Sequence, residues 1–367
     1  MENSLQKLVE ISNYYGKNPE YVIAGGGNTS YKNENYLWIK ASGTSLATIT
    51  EDGFAKMDRK ALGKIAIKNY SSDPLTREAE IINGLFECVV GNSGLRPSVE
   101  TSLHNLLNFS FVVHTHPTLV NGLMCAKNSS QETRSLFGDD ALIIEYTDPG
   151  YILFKLVEKR ISEYVKKFAK EPQIIFLENH GVFVSANTTA EISEIYTDIS
   201  KKIKAKIQNN IPSTVLSSCE LNDLKEALTR DKNLFVQTYN SNLINEFTKS
   251  REAFDQVNTA FSPDNIVYCK SYYLFIKPDP KTLLAELKRF SKTNGFLPKV
   301  IAVENRGIIC IEESLSAVNI VYEVFLDILK ISFLTRNFGG PRFMSPEQIE
   351  FIDNWEVENY RRKVAKV

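Results

Sequence analysis

The chain has 367 residues, of which 43% are hydrophobic and 24% charged, and a formal charge of −1. That is apolar material for a large core, at a length that predicts two domains, and the near-neutral balance excludes a general nucleic-acid binder. Five cysteines, an odd number without a CxxC pair, predict reduced thiols in a cytoplasmic protein. A polar N-terminus and the lack of any long apolar run predict no signal peptide and no membrane span.

Asn3 or Ser4 caps a first helix, with Leu5, Leu8 and Val9 as its apolar stripe and Gly16 as its stop. A short strand is predicted over residues 21–24, running into the small-residue loop 25–30. A second strand over 36–40 runs into the loop 41–45. A polar connection and a helix over 58–70 follow. Helical spacing returns over 77–90. Arg-Pro-Ser-Val-Glu at 96–100 opens another helix through Asn108, with Pro97 near its first turn. A strand over 109–114 precedes two strand–helix units, 141–146 with 152–167 and 173–177 with 190–206. The polar, proline-bearing stretch 209–218 reads as a linker, which divides the chain into domains 1–212 and 213–367. Beyond it the pattern predicts helices over 222–227 and 241–260, strands over 265–269 and 273–276, a helix over 282–293, a strand over 300–303 and a helix over 315–333.

Residues 111–117 read Phe-Val-Val-His-Thr-His-Pro, an apolar strand that ends in two histidines. Strand side chains alternate, so His114 and His116 share a face, with Cα atoms roughly 6–7 Å apart. Of the chain's four histidines, a third, His180, follows the apolar run 174–177 in the turn Glu-Asn-His-Gly. Three imidazoles with an open position make a catalytic metal site of the zinc type. The plain alternative is polar residues satisfied at strand ends, but the small and polar residues around both turns suit an open cleft and favour the metal.

Glu100 is expected in a first helical turn, where the dipole favours an anion. Near a metal it could move a proton or fill the open coordination position; taken alone it is a helix-start glutamate. His104, one turn later on the same face, reads as a supporting or core histidine and not a fourth ligand. Loops 25–30 and 42–44, with Ser98, offer N–H groups and hydroxyls suited to phosphate, although ordinary turn chemistry accounts for each alone. Finally, Pro-Gln-Ile-Ile-Phe-Leu-Glu-Asn-His-Gly at 172–181 aligns with Pro-Lys-Val-Ile-Ala-Val-Glu-Asn-Arg-Gly at 298–307, and Tyr196 with Tyr322. This partial repeat puts Arg306 where His180 stands and implies a second copy without a metal.

Gly-Asn-x-Ser at 27–30, Ser42-Gly43, Pro-Ser-x-Glu at 97–100 with His104, His-x-His-Pro at 114–117 and Asn-His-Gly at 179–181 occur in this order in the class II aldolase/adducin superfamily, which the sequence resembles. Leu-Phe-Gly-Asp-Asp at 136–140, Asp-Pro-Gly-Tyr at 148–151, residues 262–269 and the tail 351–358 look most similar to the long rhamnulose-1-phosphate aldolase type, often fused to a short-chain dehydrogenase. The resemblance implies an α/β fold: a three-layer α/β/α domain around a mostly antiparallel sheet, with a smaller C-terminal α/β domain. It implies zinc, or another divalent metal, on His114, His116 and His180, with Glu100 as acid/base and Asn28, Ser42, Gly43 and Ser98 on a substrate phosphate. It also implies a catalytic tyrosine, for which Tyr146 and Tyr151 are candidates. The implied reaction is cleavage of a ketose 1-phosphate to dihydroxyacetone phosphate and an aldehyde, in a homo-oligomer, with a tetramer favoured. An epimerase, dehydratase or decarboxylase on the same scaffold, or a non-catalytic adducin-like binding module, are the alternatives. Val99 departs from the Ser-Ser-Glu of the short enzymes and cannot donate to a phosphate through its side chain. The chain ends at Val367 with no dinucleotide fingerprint, so no NAD-dependent activity is expected.

Overall fold

Alternating apolar strands and capped helices build two compact units in the computed structural model, which describes residues 2–91, 94–219, 221–229 and 234–355. Among these residues, the first unit comprises those up to Met124 together with Ser129–Ala205, and the second comprises Cys125–Asn128 and those from Lys206 onward.

Among the described residues the first unit has strands β1 (Asn28–Lys32), β2 (Tyr36–Lys40), β3 (Phe54–Asp58), β4 (Phe111–Thr115), β5 (Ala141–Ile144), β6 (Ile174–Leu177) and β7 (Gly181–Ala186). They form one sheet in the order β3-β2-β1-β4-β7-β6-β5, in which β5–β6 alone is parallel. Its helices are α1 (Glu2–Gly16), α2 (Arg59–Ile67), α3 (Pro74–Glu87), α4 (Thr101–Leu106), α5 (Thr118–Met124), α6 (Ser129–Phe137), α7 (Tyr151–Phe168) and α8 (Thr189–Lys204). Asp58 and Asp73 cap α2 and α3, and a Thr188–Glu191 capping box starts α8.

Both faces of this sheet are covered. On one face Ser12 of α1 bonds Thr29 of β1 at 2.6 Å, and Tyr196 of α8 bonds Thr115 of β4 at 2.7 Å. On the other, Val112 of β4 and Phe183 of β7 pack with Leu103 and Leu107 beside α4 and with Leu153, Phe154, Val157 and Ile161 of α7. The unit is therefore a three-layer α/β/α domain with a mostly antiparallel sheet, as the resemblance implies.

The second unit is a smaller α/β body. Strands β8 (Phe235–Tyr239), β9 (Leu274–Ile276), β10 (Val300–Val303) and β11 (Gly307–Glu312) run in the order β8-β11-β10-β9, with β9–β10 parallel. Helices α9 (Asn222–Thr229), α10 (Asn242–Thr248), α11 (Arg251–Phe254), α12 (Pro263–Cys269), α13 (Pro280–Asn294), α14 (Leu315–Thr335) and α15 (Pro346–Asn354) surround it. Residues 356–358 of the tail motif lie outside the described residues. All five cysteines are free, and no helix among the described residues is long and apolar enough to cross a membrane.

Several expectations are corrected. Residues 21–24 form turns, with Ala24 at φ 52°, and the strand starts at Asn28. The helix expected from 96 to 108 shrinks to α4, because Ser98 accepts from the Glu100 N–H and holds a turn there. Residues 265–269 are helical although rich in β-branched and aromatic types: Ser262 and Asn265 form a capping box with Pro263 at the first position, and that start signal wins. The helix expected over 241–260 breaks at Ser250, whose hydroxyl caps α11. Strands β3, β7, β8 and β11 and helices α5, α6 and α15 were absent from the sequence reading.

Candidate metal centre

The site begins with strand alternation and register. β1 lies beside β4 with Asn28 opposite His114, and β7 lies on the other side with Phe183 opposite His114. The His114 ring is fully buried and stacks on Phe183, with centroids 4.0 Å apart and 16° between planes. Its Nδ1 stands 3.0 Å from the Val182 carbonyl oxygen. A carbonyl only accepts, so Nδ1 carries the hydrogen and Nε2 keeps its lone pair for a ligand. Two residues on, Nε2 of His116 lies 2.9 Å from Nε2 of His114, close to the ~3.3 Å kept by two nitrogens on one tetrahedral zinc.

The β6–β7 hairpin delivers His180. Asn179 takes the left-handed conformation at φ 53°, and its N–H donates to the carbonyl of Met124, the last residue of α5, at 3.1 Å. Gly181 follows because a Cβ there would lie 2.5 Å from the Thr115 oxygen and 2.7 Å from the His116 ring. With that clearance, ring nitrogens of His114, His116 and His180 all lie within 4.8 Å of one another.

Glu100 completes the cluster from the residue just before α4, not from within the first turn expected for it. Its buried Oε1 accepts no hydrogen bond and stands 3.5 Å from Nε2 of His114 and 3.7 Å from Nε2 of His180. A buried polar atom left unpaired costs about 1–3 kcal/mol, and more when charged. A divalent cation among the three nitrogens would satisfy it, and neutral imidazoles with one carboxylate are a ligand set such an ion takes. The residues fit the metal that the sequence implies.

A polar chain fixes Glu100. Its Oε2 accepts from Nδ2 of Asn28 at 2.5 Å, and Oδ1 of Asn28 faces Nε2 of His104. Nδ1 of His104 meets the Ser30 hydroxyl at 2.7 Å. Because Asn28 gives its N–H to the carboxylate, its oxygen must accept from His104, and Nδ1 of His104 then accepts from Ser30. Burial, helped by the charge of Lys32, holds the His104 pKa well below the ordinary histidine value, so this supporting histidine is neutral. Lys32 donates to the His104 carbonyl at 2.8 Å. Burial first, then the Arg59 charge, pushes its pKa down to about 7.

Asn28, Ser98, Glu100, His114, His116 and His180 thus come together. Ser98 lies within 3.4 Å of the Asn28 amide. Ser42, which Gly43 follows, is tied to the same corner: Ala41 bridges Pro97, the Ser42 N–H donates to the Arg96 carbonyl, and the Ser42 hydroxyl donates to the Pro97 carbonyl. Tyr146 lies two residues past β5; Ile144 is opposite Leu177, so the chain leaves the sheet there at the end that carries His180. Tyr151 instead opens α7, with its ring against Tyr70 and Phe154 and its N–H toward Glu78. Val99 lines a small, mostly apolar cavity with Glu78, Ile81, Leu85, Ser102 and Phe154. The sequence reading missed the places of Ser30 and Lys32. The alternation of Asn28, Ser30 and Lys32 is the available signal, hidden by the run of small residues that precedes it.

Comparisons with known proteins find a family match and several similar proteins. The family described as Class II Aldolase and Adducin N-terminal domain matches residues 6–201. A Bacillus subtilis protein named uncharacterized oxidoreductase YuxG is 24% identical over 310 residues, covering 77% of this chain and 43% of its own length. The chain therefore spans less than half of that relative. Among solved structures, the N-terminal class II aldolase domain of a conserved Thermoplasma acidophilum protein is 26% identical, with a TM-score of 0.46 over 55% of this chain and 92% of its own. An L-fuculose 1-phosphate aldolase is 19% identical, with a TM-score of 0.39 over 56% of this chain and 85% of its own.

Proposed function

The chain belongs to the class II aldolase and adducin family, and on that premise we propose that its first unit is a divalent-metal aldolase, with zinc as the metal, that cleaves a ketose 1-phosphate to dihydroxyacetone phosphate and an aldehyde. The observation that carries this reading is the bare Glu100 Oε1 beside Nε2 of His114 and of His180, two of three convergent imidazoles. A scaffold module has no use for a buried acceptor left without a donor.

His114, His116 and His180 would hold the ion, which supplies positive charge where the substrate ketone oxygen turns negative. Glu100 returns a proton to the carbon left behind when the carbon–carbon bond breaks. The hydroxyl that becomes the aldehyde oxygen gives up its proton to a second group, the place assigned to Tyr146. Ser98, Ser42 and the N–H of Gly43 are assigned to the phosphate. Asn28 links that pocket to Glu100, since its amide lies between Ser98 and the carboxylate.

The test is product analysis by phosphorus NMR, with rhamnulose 1-phosphate and related ketose 1-phosphates as substrates. Dihydroxyacetone phosphate is expected to form, to stop with a chelator and to return with zinc. An epimerised, dehydrated or decarboxylated product would replace the aldolase with another enzyme on this scaffold. No turnover of any substrate by the zinc-loaded protein would leave the binding-module reading in its place.

A further inference from the structure

The second unit repeats the β4–β7 half of the first unit's sheet. In order, β4-β7-β6-β5 corresponds to β8-β11-β10-β9, and each set ends in its parallel pair. Registers agree pair by pair. Phe111–Ala186, His114–Phe183 and Thr115–Val182 correspond to Phe235–Glu312, Thr238–Ile309 and Tyr239–Ile308. Ile174–Val184 corresponds to Val300–Cys310, and Ile144–Leu177 to Ile276–Val303.

Irregular backbone agrees at the Asn of the turn, although Gly307 has φ 126° and Gly181 has no positive φ. Asn179 and Asn305 are left-handed at φ 53° and 58°. Asn179 N–H donates to Met124, the last residue of α5; Asn305 N–H donates to Thr248, the last residue of α10. Glu178 donates to Ile144, and Glu304 to Ile276. A Cβ on Gly181 would meet the Thr115 oxygen and the His116 side chain, and one on Gly307 would meet the Tyr239 oxygen and the Asn240 side chain. The cores match as well: Val112, Ile175, Leu177 and Phe183 answer to Val236, Ile301, Val303 and Ile309. The helices α4 and α9 stand before β4 and β8, and each adds leucines to these cores.

We propose that the second unit is a copy of the α4–α8 half of the first in which the metal centre has been replaced residue by residue. Thr238 stands at the place of His114, Asn240 at that of His116 and Arg306 at that of His180. Leu221, the residue before α9, stands where Glu100 precedes α4. A hydroxyl, a neutral amide and a guanidinium do not make a zinc site. Leu221 is fully buried in the apolar core, and Arg306 pairs with Asp223 at 3.5 Å. Cys219 fills space over the turn: its thiol donates to the Arg306 carbonyl and lies 3.3 Å from where a Gly307 Cβ would be.

The test rebuilds the centre. Thr238→His, Asn240→His and Arg306→His are combined in the full chain, with and without Cys219→Ala to open the space. Zinc content is measured after equilibration and desalting, beside the parent treated alike. The rebuilt chain is expected to hold about one more zinc ion than its parent. Because only the difference is read, the result does not depend on what the first unit binds or does. A folded variant that gains no zinc in either form would overturn the proposal. The reverse exchange, His114→Thr with His116→Asn and His180→Arg, covers the case in which the rebuilt chain fails to fold. Its melting temperature is expected within about 4 °C of the metal-free parent, since the second unit already carries those residues on that backbone. Collapse of the reverse variant would also overturn it.

Discussion

The β6–β7 and β10–β11 hairpins share a left-handed Asn and a crowded Gly and end in different chemistry. Both need a left-handed Asn and a Gly with no room for a side chain, yet the residue between them is His180 in one and Arg306 in the other. The fold therefore dictates its neighbours and leaves that position open, so His180 is explained by what its ring reaches. The same holds on the adjacent strands. Val112 and Val236 are both buried core, while two residues on His114 becomes Thr238. The first unit also has β1 against β4, whereas β8 is an edge strand of its sheet among the described residues. On β1 ride Asn28, Ser30 and Lys32, the polar side chains that fix Glu100 and His104. Burying them is costly, and on the proposed correspondence the second unit carries Leu221 where the first has Glu100.

Substitutions can break or sharpen this contrast. The largest effect is expected from His114→Ala, which removes both bound metal and detectable turnover, while Thr238→Ala leaves both as they were; metal analysis beside a product assay decides. Glu100→Gln is expected to keep the metal and lower kcat by about 10²–10⁴. Its counterpart, Leu221→Ala, leaves a core cavity and costs about 2–5 kcal/mol in urea unfolding with kcat of the folded fraction unchanged. Equal kinetic effects from the two would dissolve the assignment of chemistry to one unit.

Lys32 gives a pH signature. Its folded-state pKa of about 7 lies below the ordinary value of 10.5, so between those values the unfolded chain binds more protons than the folded one. Stability contributed at this residue is therefore fully present above about pH 10 and is lost as pH falls toward 7. Lys32→Met is expected to flatten the rise in melting temperature between pH 7 and pH 10; identical slopes would contradict the buried amine. The smallest effect is local. Asn179→Ala and Asn305→Ala are each expected to cost roughly 1–2 kcal/mol through the left-handed backbone, and only the first to lower turnover.

The three histidines that the structure brings together were legible in the sequence because each follows or ends an apolar run. His114 and His116 follow from strand alternation, and His180 from the Glu-Asn-His-Gly turn. β1 was not readable as a strand because its residues serve the site: Asn28, Ser30 and Lys32 take the face that apolar side chains would otherwise mark. β7 and β11 were missed because a left-handed Asn folds each back against an apolar run already assigned. The repeat was visible in sequence only over 172–181 and 298–307 and at Tyr196 and Tyr322. Phe-Val-Val-His-Thr in β4 and Phe-Val-Gln-Thr-Tyr in β8 share two residues, and the connecting segments differ in length, so register and hydrogen bonds had to reveal the rest.

The most direct test of the contrast is the zinc content of three proteins purified alike: wild type, His180→Ala and Arg306→Ala. The expected result is about one zinc per chain in the wild type, little or none in His180→Ala, and wild-type content in Arg306→Ala. A wild-type protein that carries no metal and takes up none from added zinc, or a His180→Ala variant that retains it, would contradict a metal centre built by β4 and the β6–β7 turn.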